Sequence, residues 1–227
     1  ENSFASSVVL AIYEDKNNRP IKMNNQSTKS WTHKFLQLSI TRLIVALVLV
    51  VGFVQGFQTI MITIGNHIFT HENLTSFWMP LSWIGSSLLT ILVYIFYVRL
   101  VENRNVSELS VRGAVLELGI GIIVGTVLFI LVIAILWSLG YYKLIAVNGL
   151  AFLIIPFFHY AYTAVYEEII FRGIFFRIIE NKLGSWIAII VSGLFFGFAH
   201  NATLYTNISI ALMGGVLFSV AYICTRR

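Results

Sequence analysis

Tyr166-Glu167-Glu168-Ile169-Ile170-Phe171-Arg172-Gly173 sets two adjacent carboxylates and an arginine inside a chain that otherwise reads as lipid-soluble. Ionised groups are expensive within a bilayer, where they pair with one another or mark a functional site. Outward from this stretch, apolar residues dominate. Of 227 residues, 58% are hydrophobic and 11% charged, far above the apolar share and far below the charge of a soluble domain. The composition is that of an integral, multi-pass membrane protein with the lipid bilayer as its first partner, expected in the cell membrane.

Apolar runs of spanning length cover Leu36 to Ile64, Phe77 to Val98 and Ala114 to Leu139, each near or above the roughly 20 residues that carry a helix across the hydrocarbon core. A fourth span is expected from about Leu144, through His159 and the acidic motif, to about Ile179. A fifth covers Trp186 to His200 and a sixth about Thr206 to Cys224. The expected fold class is therefore all-α, a polytopic transmembrane helix bundle of about six spans. The fourth span is long, and Pro156 is where a kink is expected. The pairs Gly52/Gly56, Gly121/Gly125 and Gly193/Gly197 have the GxxxG spacing that lets helix backbones approach closely in lipid.

Residues 1–35 form the main polar tract, with Lys16, Arg19, Lys22, Lys29 and Lys34 against Glu1, Glu14 and Asp15. They read as a basic tail ahead of a transmembrane, protease-like domain over 36–227 whose motif region is 155–227. The net charge is +5, but the basic residues lie between apolar runs rather than in one patch, a distribution that excludes nucleic acid as a partner. Arg42 and the tail, then Arg99, Arg104 and Arg112, then Lys182 and Arg226-Arg227 alternate with a loop at Gly65 to Ser76 that has no Lys or Arg, and this favours a cytoplasmic N-terminus. Cys224 is the single cysteine and reads as a packed apolar residue. The chain opens at Glu1 and stops at Arg227 directly after an apolar helix, so C-terminal truncation is expected.

On a helix, side chains four apart share a face while neighbours are rotated by about 100°. Glu168 and Arg172 can therefore pair, neutralising a buried charge, whereas Glu167 points elsewhere and needs a partner from another helix. The candidate is His200, which closes Leu194-Phe195-Phe196-Gly197-Phe198-Ala199-His200. Asn181-Lys182-Leu183-Gly184-Ser185 reads as the turn of a helical hairpin, and its two arms of about 16 residues, roughly 24 Å each, bring Glu167 and His200 to one depth. A carboxylate beside an imidazole away from bulk water can activate a water for attack on a peptide or ester carbonyl. The same four polar residues could also form only an interhelical polar network.

This pattern resembles the CPBP intramembrane protease family, also called the CAAX prenyl endopeptidase and Abi family. Glu167-Glu168, Arg172 and Gly173 match its EExxxR-plus-glycine element, Phe196 and His200 its FxxxH element, and Gly214, Gly215 and Tyr222 the glycine-bearing helix that follows. The resemblance implies that Glu167 and His200 are catalytic, with Glu168, Arg172 and Phe196 in support, and that the substrate is a peptide or protein that is membrane-associated and in some branches prenylated. One departure stands out. No histidine follows His200, so the family's last His and Asn are absent, Asn201 and Asn207 being wrongly placed to count as them. The site in this chain is accordingly expected to be incomplete.

Family members are often labelled metalloproteases, and a divalent metal such as zinc on Glu167 and His200 is the cofactor the resemblance implies. A catalytic zinc normally takes three protein ligands, and His159 lies about 12 Å along a straight helix from Glu167. His33, His67 and His71 read as surface residues of the tail or a loop. The leading expectation is thus an intramembrane endopeptidase that works by glutamate-activated water. The alternative is a non-catalytic membrane protein, such as a bacteriocin self-immunity factor, that uses the same polar core as a scaffold.

Overall fold

The computed structural model describes residues 38–225; the expected basic tail, with His33, lies outside the described residues. All regular elements among the described residues are helical. We number them α1 (Ser39–Ile68), α2 (Met79–Leu100), α3 (Ala114–Ser138), α4 (Ile154–Glu168), α5 (Arg177–Leu183), α6 (Ser185–Ala199), α7 (Leu204–Ile210) and α8 (Leu217–Thr225). Wide π-helical segments at Ile169–Phe176 and Ala211–Val216 join α4 to α5 and α7 to α8. Five continuous helical stretches are long and apolar enough to cross a membrane, and α6 is a shorter apolar helix beside them.

The boundaries differ from expectation where local chemistry intervenes. Leu144 to Gly149 is not helical, and the fourth span begins with a 3₁₀ turn at Leu150–Leu153. Pro156 stands at the start of that span's α-helix rather than inside it. It is the third residue of α4, in the first turn, where a missing backbone N–H forfeits no helical bond. The irregularity lies instead at Ile169–Phe176. The expected loop at Gly65 to Ser76 is also mostly helical, because α1 runs to Ile68 and a helical turn at His71–Asn73 leads through π turns into α2. His67 is therefore in the last turn of α1 rather than in a loop.

The inner face of α2 explains how the bundle starts. Ser82, Ser86, Thr90, Tyr94 and Val98 recur every four residues and are all buried, while Leu88, Leu92 and Phe96 on the opposite face are exposed, as suits a surface solvated by lipid. Small hydroxyl residues let α1 approach closely, and its buried stripe is Ala46, Val50, Val54 and Gln58. The hydroxyls of Ser86 and Thr90 donate to carbonyls one turn back, and the Gln58 side-chain amide donates to Ser86 Oγ across the interface at 2.7 Å. Tyr94, Tyr97 and Val98 then meet Ile169, Ile170, Ile174 and Ile178 in the main core.

Of the three GxxxG pairs, only Gly193/Gly197 is a packing seam. A Cβ on Gly193 would meet the Ala211 carbonyl at 3.3 Å, and one on Gly197 would strike the backbone of Asn207 and Ala211. Around Gly52, Gly56, Gly121 and Gly125 there is open space. The first pair lies off the stripe that α1 turns toward α2, and α3 buries none of its residues.

Candidate active site

The hairpin turn is a single residue. Gly184 has φ +82° and ends α5 while α6 begins at Ser185, a left-handed backbone that glycine adopts without strain. α6 returns alongside the π segment and ends at Ala199, so that His200 occupies its C-terminal cap. This brings Glu167 Oε1 and His200 Nε2 to 4.0 Å, with 28% and 33% of the two side chains exposed.

Two contacts fix His200, and Asn207 steadies the chain just after it. Its Nδ1 lies 2.7 Å from the Phe196 carbonyl; because a carbonyl only accepts, Nδ1 carries the proton, and in the neutral ring Nε2 presents its lone pair. The Phe196 ring stands 4.8 Å from the imidazole. Asn207 braces the turn after His200, accepting from the Ala202 amide at 3.0 Å and donating to the Ala202 carbonyl at 3.1 Å.

Glu168 and Arg172 pair at 3.1 Å, one turn apart. Arg172 is buried and donates through Nη2 to the Gly214 carbonyl at 2.9 Å, while its guanidinium lies over the rings of Phe196 and Phe218 at 4.8 and 5.2 Å. Phe196 thus touches both Arg172 and His200, and it meets Phe171 edge-on at 4.9 Å. His159 does not join this group: its ring packs edge-on against Trp83 at 5.0 Å.

Two acceptors 4.0 Å apart are too far for a direct hydrogen bond and close to the separation one water can bridge. Arms of about 2.8 Å at the near-tetrahedral angle of water span about 4.4 Å. As metal ligands, the same two groups fall short. Among the described residues no cluster of three or more His, Cys, Asp or Glu could hold an ion, so the donor set does not fit a catalytic zinc, which normally takes three protein ligands.

A second polar group lies where α2 ends. Arg177 reaches from α5 to Glu102 at 2.8 Å; Arg104 binds Glu102 at 2.8 Å and Glu108 at 2.9 Å; the Tyr94 hydroxyl donates to Glu108. Burial opposes ionisation of Glu108, but hydrogen bonds from Arg104 and Tyr94 outweigh it and hold the carboxyl at about 2. For Glu102, likewise, burial is outweighed by Arg177 and Arg104, and the carboxyl sits below its ordinary range. Sequence reasoning treated Arg104 only as an orienting charge and did not use Tyr94, Glu102, Glu108 or Arg177. The available signal was two acids, Glu102 and Glu108, flanking Arg104 in a short loop between spans.

Residues 148–227 match the family model for type II CAAX prenyl endopeptidase Rce1-like proteins. The match spans α4 to α8 and so contains Glu167, Glu168, Arg172, Phe196 and His200, and it supports a CAAX-type intramembrane protease at the family level. Helices α1 to α3 lie outside it. No curated protein and no solved structure matches the chain.

Proposed function

We propose that the protein is an intramembrane endopeptidase in which Glu167 activates a water held between its carboxylate and His200 Nε2. The observation that carries this reading is the 4.0 Å separation of Glu167 Oε1 and His200 Nε2. The water gives one O–H to Glu167 and the other to the imidazole. As its oxygen bonds to the scissile carbonyl carbon, Glu167 takes the proton. The C–N bond then breaks, and Glu167 passes that proton to the departing amine, so the products are a carboxyl terminus and a free amine. His200, held by Phe196, keeps the water in line, and Arg172 neutralises Glu168 so that Glu167 is left as the free base. The Rce1-like match supports a substrate whose cleaved end carries a lipid, with a prenylated C-terminal peptide as the first probe.

Glu167→Gln keeps the shape and removes the base. In liposomes containing the purified chain and an internally quenched farnesylated peptide, this variant is expected to lose at least about a hundredfold in kcat while its melting point in detergent does not fall. Wild-type turnover in the variant would refute the assignment. If neither protein cleaves the peptide, yet both protect cells against a bacteriocin equally, the scaffold reading gains instead.

A further inference from the structure

The acids and arginines at the end of α2 touch neither Glu167 nor His200, yet they contact the segment that aims Glu167. That segment, Ile169–Phe176, is π-helical. A π turn inserts one residue into a helix, and such turns concentrate at functional sites. Its loss would rotate everything on one side of it by about 100° relative to the other side. Glu167 lies just before the turn and Arg177 just after it, so the wide turn decides which face Glu167 presents when Arg177 is fixed.

Two side chains grip the turn at one carbonyl. Arg177 Nε donates to the Gly173 carbonyl at 2.8 Å, and the Tyr94 hydroxyl lies 3.0 Å from the same oxygen, its single proton shared between Gly173 and Glu108. A Cβ at position 173 would meet Tyr94 at 3.1 Å, so the approach of α2 depends on the glycine. The grip is closed behind: Arg177 holds Glu102, Glu102 holds Arg104, Arg104 holds Glu108 and Glu108 holds Tyr94. The Glu102 and Glu108 side chains are 1% and 6% exposed, so the network is not the loose surface kind that contributes little. A cavity of about 220 Å³, lined by Tyr94, Glu108, Glu168, Arg172 and Tyr222 among others, lies beside the turn. On that side the hydrogen bonds to Gly173 add to the core packing of Ile169, Ile170 and Ile174 against Tyr94, Tyr97 and Val98.

We infer that Tyr94 and Arg177, locked by Glu102, Arg104 and Glu108, are positioning residues that keep the π turn in place and so keep Glu167 facing His200. The inference rests on the hydrolase reading for its kinetic consequence, though not for its structural one. The variants are Tyr94→Phe, which removes one hydroxyl, and Arg177→Lys, which keeps the charge but loses the planar fork. Ser192→Ala, in the hydroxyl pair between Ser192 and Ser219, is the control for general loosening.

Each full-length variant is assayed in liposomes with the farnesylated quenched peptide, and in parallel Glu167 is labelled with a membrane-soluble carbodiimide and the modified peptide counted by mass spectrometry. Tyr94→Phe and Arg177→Lys are expected to lower kcat by about tenfold or more with KM within about twofold, and to change the labelling rate of Glu167 severalfold, while Ser192→Ala changes neither. Wild-type kcat and labelling in both variants overturn the inference, as does a loss of kcat that merely follows the melting point and is shared by Ser192→Ala. If the wild type shows no turnover, the hydrolase reading fails by itself, and the labelling rates still decide whether these residues aim Glu167. Should Arg177→Lys not fold, Tyr94→Phe decides alone.

Discussion

Gly197→Ala adds a single methyl group where α6 crosses the chain that follows it. The new Cβ would lie 2.7 Å from the Ala211 Cβ and 3.0 Å from the Ala211 nitrogen, and closer still to the Asn207 carbonyl oxygen. Two of these three are backbone atoms that cannot rotate away. Restoring an ordinary separation of about 3.5 Å from the Ala211 Cβ moves the helices apart by about 0.8 Å. Overpacking of this kind costs about 1–3 kcal/mol, and the better helix propensity of alanine recovers less than about 1 kcal/mol. His200 stands three residues on, so the displacement reaches the site, where a shift near 1 Å can cost about a hundredfold in rate. Gly52→Ala is the matched comparison, with the same spacing signature but no atom within 4 Å of the added Cβ; it is expected to leave activity unchanged and stability equal or slightly higher. Thermal unfolding in detergent and peptide hydrolysis in liposomes read both effects. A Gly197→Ala protein as stable and active as wild type, or a Gly52→Ala protein equally damaged, would refute the assignment of the seam.

Three further outcomes are expected. Glu108, held at about 2 against an ordinary value of 4.5, stabilises the fold fully above the unfolded value, and that stabilisation is lost as pH falls from about 4.5 toward 2; the difference is worth about 3 kcal/mol. Melting points measured down through that window should decline, and a flat profile would contradict the network. Because Glu167 and His200 supply only two donors, hydrolysis is expected to persist after dialysis against a strong chelator; loss of turnover restored by zinc would show that a third ligand completes the site. Glu167→Gln, inactive by the reading above, is expected to melt at the same temperature or higher, since it removes a charge whose nearest ionic partner lies 4.0 Å away; a clear fall would make Glu167 a structural residue.

Much of the site was legible because its logic is local. The i, i+4 spacing of Glu168 and Arg172 allows the observed pair, and equal hairpin arms about Gly184 allow the approach of Glu167 to His200. What could not be read was non-local or irregular. A π turn has no simple sequence period, so the irregular segment Ile169–Phe176 left no signal comparable to Pro156, the conspicuous helix breaker. Glycine spacing alone does not say which face a helix buries: Gly52/Gly56 and Gly193/Gly197 look alike in sequence, and only the second has a backbone against it. The stripe Ser82, Ser86, Thr90, Tyr94 was present at four-residue spacing and would have identified the inner face of α2, because in lipid small polar residues turn inward.

The two polar groups of the bundle differ in their charge balance, and that difference separates scaffold from site. Glu102 and Glu108 face Arg104 and Arg177, two charges of each sign, and each carboxylate has an arginine within 3 Å. Such a group is complete in itself and needs no ligand. Nearer the middle of the span, Glu167 and Glu168 face only Arg172, and Arg172 is drawn to Glu168 and to the Gly214 carbonyl. Glu167 is left with an imidazole just beyond hydrogen-bonding distance. A sequence under pressure for stability alone would balance or discard that second acid, since an incompletely satisfied charge in a membrane bundle is costly. Local rules broken at one place and obeyed a few turns away mark the gap between Glu167 and His200 as the candidate site.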